Sequence, residues 1–270
     1  MSILVQISDT HFGTEVPAVM NALLQLVSET RPDVAVLSGD LTQRARRSQF
    51  DAARAFADQL RVRAILALPG NHDIPLFNVF ARVAAPYGNY QRAFGANLAP
   101  KFESAQFLVL GVNTTRAYRH KDGEVSDQQI QRVTKALRNA SGEQIRIVVT
   151  HQPVHVIREQ DEENLLRNAE AAVREWSAAG ADIIMGGHIH LPYVRPLSER
   201  FANLARRIWA VQAGTAVSYR IRHEAPNSIN IVRRISTGEL RCAVERWDYN
   251  ADTQQFQMQQ SELLEVDRKQ

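Results

Sequence analysis

Short apolar runs punctuate the first two thirds of the chain. Ile3–Ser8, Val34–Ser38, Ala64–Leu68, Phe107–Val112, Ile145–Thr150 and Ile183–Met185 are β-branched or Leu-rich, and each passes into small or polar residues. That is the pattern of buried strands. Between them, Val19–Thr30, Ser48–Leu60, Ser126–Asn139 and Asn168–Ala179 carry apolar positions at helical spacing. Ser126-Asp127-Gln128-Gln129 has the form of a capping box, with Gln129 three residues after a capping Ser. The alternation predicts an α/β core. After about Ile208 the pattern changes. Ser228–Ile235 and Leu240–Trp247 read as strands joined by a turn at Ser236-Thr237-Gly238-Glu239, which predicts a second, partly antiparallel sheet. From Asn250 the chain is rich in Gln and charge, so residues 1–249 are expected to form one domain and 250–270 a frayed helix or disordered tail.

Every core strand but one ends in residues that bind metals. Ile3–Ser8 runs into Asp9-Thr10-His11, Val34–Ser38 into Gly39-Asp40, Ala64–Leu68 into Gly70-Asn71-His72-Asp73, Ile145–Thr150 into His151, and Ile183–Met185 into Gly186-Gly187-His188-Ile189-His190. Five of the eight histidines fall in these segments. Taken singly, Asp-x-His and Gly-Asp are ordinary turns. Together they are not, because the carboxyl ends of strands in an open α/β sheet are where ligands gather.

These motifs, in this order and approximate spacing from Ile3 to about Pro192, resemble those of the calcineurin-like metallophosphoesterases. The resemblance implies a four-layer αββα sandwich of two mixed sheets flanked by helices. It further implies that Asp9, His11, Asp40 and His190 hold one metal and that Asp40, Asn71, His151 and His188 hold the other. Asp40 then bridges two ions such as Mn, Fe or Zn, divalent or mixed-valence, and a metal-bridging hydroxide attacks the phosphorus in line. His72 is expected beside the metals as a leaving-group acid, oriented by Asp73. Leu41-Thr42-Gln43-Arg44 after Gly39-Asp40 resembles the bacterial cyclic-nucleotide phosphodiesterase branch. The expected substrate is a small phosphodiester, a 3',5'-cyclic nucleotide included. Nucleotide-sugar pyrophosphatases of lipid A synthesis, glycerophosphodiesterases and DNA exonucleases share the frame, and some relatives are non-catalytic interaction scaffolds.

Composition narrows the setting. A formal charge of +3 over 270 residues is a weak field, which argues against nucleic acid as a partner. The single cysteine, Cys242, excludes an internal disulfide. No apolar run approaches the length of a bilayer span, and the N-terminal residues read as a strand rather than a signal peptide, so a cytoplasmic protein is expected. The oligomeric state stays open, a dimer included. Three groups of residues fall outside the motif set. Gln152-Pro153 after His151 departs from the commoner pattern and is expected to tune the pocket. Arg116 and Arg119 lie in a loop where an Arg could clamp phosphate. His120, His155 and His223 are expected to be surface or packing residues.

Overall fold

The computed structural model describes residues 2–222, 225–235 and 240–268. The helices are α1 (Pro17–Thr30), α2 (Arg47–Gln59), α3 (Val79–Ala84), α4 (Gly88–Phe94), α5 (Asp127–Arg138) and α6 (Ala169–Ala179). The strands of the first sheet are β1 (Ile3–Ile7), β2 (Val34–Ser38), β3 (Ala64–Leu68), β10 (Ser228–Ile235), β11 (Arg241–Asn250) and β12 (Gln255–Glu265). Those of the second are β4 (Lys101–Glu103), β5 (Phe107–Gly111), β6 (Ile145–Val149), β7 (Ile183–Gly186), β8 (Tyr193–Pro196) and β9 (Trp209–Gln212).

Sheet order is β12-β11-β10-β1-β2-β3 in one and β4-β5-β6-β7-β9-β8 in the other. Strands β1, β2 and β3 are parallel, as are β5, β6, β7 and β9, and antiparallel strands complete each sheet. The near-continuous apolar strands are explained by burial on both faces. Leu4, Val36 and Leu68 of the first sheet meet Val109, Ile147 and Met185 of the second between the layers. On the outer face of the first sheet, Val5, Ile7 and Leu37 pack under Leu23, Phe50 and Tyr90 from α1, α2 and α4. Beyond the second sheet, α5 and α6 place Ile130 and Trp176 over Leu108 and Val148. Each such buried side chain contributes about 1.5–3 kcal/mol. The arrangement is the four-layer sandwich that the resemblance implied. The capping box at Ser126 forms: its hydroxyl accepts from Gln129 N, opening α5.

At the metal-motif end the interlayer space turns polar. Gln6 Nε2 donates to Ser38 Oγ at 3.1 Å and to Gly186 O at 3.0 Å. Asn230 Nδ2 donates to Gln6 Oε1 at 3.0 Å and to Gln212 O at 3.1 Å, while Gln212 Nε2 reaches Gly187 O. This amide layer joins the two sheets directly beneath the turns that carry the motifs.

Two departures from the sequence reading stand out. The segment after Asn250 is neither a frayed helix nor disordered through 255–265. It is β12, paired antiparallel with β11 from Asn250↔Gln255 to Arg241↔Glu265, with a bulge at Arg246/Trp247, and anchored by buried Phe256 and Leu264. Short α3, α4, β4, β8 and β9 were also not anticipated. Strands β10 and β11 pair as expected; the turn expected at 236–239 and His223 lie outside the described residues.

Candidate metal centre

The parallel strands of both sheets end at one place, and there the chain adopts a left-handed backbone repeatedly. Asp9 (φ 51°), His11 (φ 44°), Asp40 (φ 49°), His188 (φ 74°) and His190 (φ 57°) all have positive φ. Asp and His tolerate this region better than most residues, at a cost that the surrounding bonds must hold in place. They do: Asp9 N donates to Gly39 O at 3.1 Å, His11 N to Asp40 O at 2.9 Å, and Gly187 N to His151 O at 2.8 Å. Two glycines allow close approach. A Cβ at Gly70 would lie against the backbone N and Oδ1 of Asp40, and one at Gly187 would meet Ser8 Oγ and come within 2.6 Å of Asp9 Oδ2.

All seven expected ligands converge here. Among the described residues, three sets have ligand atoms within 4.8 Å of one another: Asp9, His11 and His190; His11, Asp40 and His72; and Asp40, His151 and His188. Asn71 joins the last set, with its Oδ1 3.2 Å from His151 Nε2. Asp40 spans the sets, its Oδ1 3.3 Å from His151 Nε2 and its Oδ2 3.8 Å from His11 Nε2.

Hydrogen bonding shows that these groups fit a cation. His151 Nδ1 bonds Ser38 O at 3.0 Å and His190 Nδ1 bonds Arg220 O at 2.6 Å. Because a carbonyl only accepts, each Nδ1 carries a proton, which leaves each inward-facing Nε2 to hold either a second proton or a metal. There His151 Nε2 faces Asn71 Oδ1 and Asp40 Oδ1, and His190 Nε2 faces His11 Nε2 at 3.1 Å and Asp9 Oδ1 at 3.5 Å. Acceptors so close repel unless a proton or a metal lies between them.

Electrostatics favour a proton or a cation in the same place. Burial opposes charge on His151, but Asp40 outweighs it and lifts the ring to about 9. Burial dominates at His11 and His188, which are pushed down to about 3. Burial would raise Asp9 and Asp40 as well. Facing imidazoles, His190 at Asp9 and chiefly His151 at Asp40, overcome it, so both carboxylates lie below their usual range, Asp40 well below.

His72 and Asp73 part company. The His72 ring lies edge-on to His11, with centroids 4.9 Å apart, and its Nδ1 bonds Gln43 O at 3.0 Å. Asp73 was expected to orient this ring, and its carboxylate is engaged elsewhere. It accepts from Leu41 N (3.0 Å), Thr42 N (2.8 Å), Thr42 Oγ1 (2.8 Å) and Gly70 N (2.9 Å). It therefore fixes the backbone just after Asp40 to the Gly70 turn that lies against Asp40, whose Oδ1 accepts from His72 N at 2.8 Å. Residue types carried no signal for the partners Ser38, Gln43 and Arg220, which act through backbone carbonyls.

The unassigned residues resolve simply. Arg116 bonds Gln129 Oε1 and the carbonyls of Asn113 and Thr115, and Arg119 pairs with Glu124, so neither guanidinium is committed to the centre. Buried Gln152 bonds Thr114 Oγ1 and Lys121 O, pinning that loop. His120 is exposed; His155 is buried against the Tyr193 ring, 3.6 Å from Glu199.

A family model for calcineurin-like phosphoesterases matches residues 3–192, a stretch that holds every one of these ligands. The chain belongs to that family. No curated protein matches this calcineurin-like phosphoesterase in sequence, and its similarity to solved structures is one of fold. A purple acid phosphatase, PPD1, from yellow lupin (Lupinus luteus) seeds superposes with TM-score 0.75 at 14% identity over 99% of this chain. The chain spans about half of the lupin protein, 54%. A dimetal phosphatase from Danio rerio gives TM-score 0.67 at 14% identity, covering 98% of this chain and 99% of that one. Vps29 from Chaetomium thermophilum gives 0.51 at 8% identity, with 99% and 100% covered.

Proposed function

We propose that this calcineurin-like phosphoesterase is a two-metal phosphodiesterase, with 3',5'-cyclic nucleotides as its substrate class and Mn, Fe or Zn as its metals. In this reading Asp9, His11, Asp40 and His190 bind one ion, Asp40, Asn71, His151 and His188 bind the other, and the cell compartment is the cytoplasm. The observation that carries the reading is the pair of ligand sets on either side of Asp40, each drawing residues from both sheets. Two divalent ions at such a site supply Lewis acidity toward phosphoryl oxygens and acidify water near neutral pH. The protein's own groups do the rest. Hydrogen bonds from His188 N, both 3.1 Å, and from Ser8 Oγ at 2.6 Å orient the Asp9 carboxylate. His72, with Nδ1 committed to Gln43 O, has Nε2 left to protonate the leaving oxygen. The preference for diesters is supported by the Leu41–Arg44 resemblance.

The test is a panel of cyclic nucleotides, bis(nitrophenyl) phosphate, phosphomonoesters, nucleotide-sugar pyrophosphates and single-stranded DNA, run after chelation and again with Mn²⁺ restored. The expected result is metal-dependent diester hydrolysis that Asp40→Asn abolishes together with binding of both metals. Phosphomonoester turnover at much higher kcat/KM than any diester overturns the substrate class. Two retained metals with wild-type turnover in Asp40→Asn overturn the bridging role.

A further inference from the structure

The rim of the metal centre is apolar, which phosphoester chemistry does not require. Phe77, Val79, Phe80 and Val83 are 78%, 68%, 83% and 80% exposed, and α3, which carries three of them, buries no residue. Among the described residues, every large apolar side chain left exposed, Met258 and Leu263 apart, lies in α3 or a loop within the connections that follow β3, β5, β6 or β9. These loops share the end of the sandwich that holds the ligands. Scattered exposed apolar residues need no explanation, but their segregation to one face does.

Contacts make this rim continuous. The Arg44 guanidinium lies over the Phe77 ring, 5.3 Å from its centroid. Its neighbour Gln43 accepts from Arg220 at 2.6 Å and holds His72 through its carbonyl. On the other flank, Arg82 of α3 donates to Pro75 O at 3.1 Å and Arg119 O at 2.5 Å, and Arg119 lies over Tyr118. Arg44, Arg82 and Arg220 thus rest on a ring, two carbonyls and an amide, all neutral groups, and among the described residues none of the three is paired with a carboxylate. Two copies of such a face would repel each other, whereas an anionic partner complements it.

We propose that this face docks on an anionic lipid bilayer, with the Phe77–Val83 segment entering the headgroup boundary and Arg44, Arg82 and Arg220 against lipid phosphates. Helix α3 has six residues, far too few to span, so it lies in the interface plane. Apolar insertion and arginine attraction reinforce each other there: a few partly inserted side chains bind weakly, and a negative surface supplies the second anchor. Docking does not depend on the phosphodiesterase reading, so binding and turnover are measured separately.

The experiment is co-sedimentation of the full chain with vesicles of phosphatidylcholine, alone or with about 30 mol % phosphatidylglycerol. Wild type is expected to pellet with the anionic vesicles, to remain in solution with phosphatidylcholine alone, and to be released by roughly 0.5 M salt. The Phe77→Ser/Phe80→Ser variant is expected to bind the anionic vesicles about tenfold or more weakly while keeping its turnover of a soluble diester. Arg44→Gln should weaken vesicle binding and flatten its salt dependence. Binding with no turnover of any phosphoester would leave docking standing and remove the phosphodiesterase reading. Three results overturn docking: wild type unbound to anionic vesicles at low salt, the double variant binding like wild type, or sedimentation velocity showing a dimer that the double variant dissolves without any vesicle binding.

Discussion

Asp73→Asn separates two roles for this carboxylate, and its cost follows from four hydrogen bonds. Oδ2 accepts from Leu41 N and Gly70 N; Oδ1 accepts from Thr42 N and Thr42 Oγ1. An amide in the same place keeps one oxygen and turns the other into a donor. If the NH₂ replaces Oδ2, two backbone N–H groups are stranded in a buried site, at about 1–3 kcal/mol each. If it replaces Oδ1, only Thr42 N is stranded, because the Thr42 hydroxyl can rotate to accept. The side chain takes the cheaper orientation, so the expected loss from the stranded amide is about 1–3 kcal/mol, partly offset because burial and the neighbouring Asp40 charge disfavour ionised Asp73 and raise its carboxyl to about 6. For a chain of this size that is a fall of roughly 2–10 °C in melting temperature. The metal-free variant is compared with metal-free wild type by urea denaturation, and metal content is then measured after reconstitution. Because Leu41 and Thr42 follow Asp40 directly, weakened binding of both metals should accompany the lost stability. Unchanged urea stability, two tightly held metals and a lower rate alone would refute this reasoning and return Asp73 to a role in orienting His72.

His72→Asn should keep both metals and lose roughly 10²–10⁴-fold in rate on diesters with poor leaving groups, with a smaller loss on nitrophenyl esters, which leave without a proton. Equal losses on both would indicate electrostatic stabilisation, and lost metal would make His72 a ligand, as its place beside His11 and Asp40 permits. Metal binding at pH 7 should release protons: His151, lifted to about 9, and His190, also raised, must shed them to ligate, whereas His11 and His188, near 3, are already neutral. Apparent affinity should therefore rise with pH up to about 9, by about tenfold per unit for one proton, and calorimetry in buffers of different ionisation enthalpy counts the protons; none released would mean a neutral His151. Gly70→Ala should cripple metal binding, because the added methyl lands on Asp40; a fully loaded variant would show that the turn can move aside.

The candidate metal centre was legible because its side chains are rare, polar and placed at the ends of apolar strands. Asp9, Asp40 and His188 stand out as a set, one at each strand end, and the parallel strands that carry them are buried on both faces. Residue types gave no warning of β12. Its Gln-rich face is exposed, two apolar residues anchor it, and backbone pairing with β11 supplies the remaining contact. Helix α3 has no buried face from which a periodicity could be read. Asp73 misled for a related reason. Its neighbour in sequence is His72, yet its partners are amides 31 and 32 residues earlier in the chain as well as Gly70 N.

The place of β1 in its sheet sets the order in which the molecule can be finished on the ribosome. One edge of β1 pairs with β2, but the other waits for β10, whose register joins Ile3 to Arg233. At about 5–20 residues per second, that edge stays open on the order of ten to fifty seconds. An open, apolar central strand is a template for pairing with the wrong chain. Two of the three ligand sets stay incomplete over the same interval, because Asp9 and His11 wait for His190, and Asp40 waits for His151 and His188. Fast translation shortens the interval in which β1 is exposed to its neighbours on the polysome.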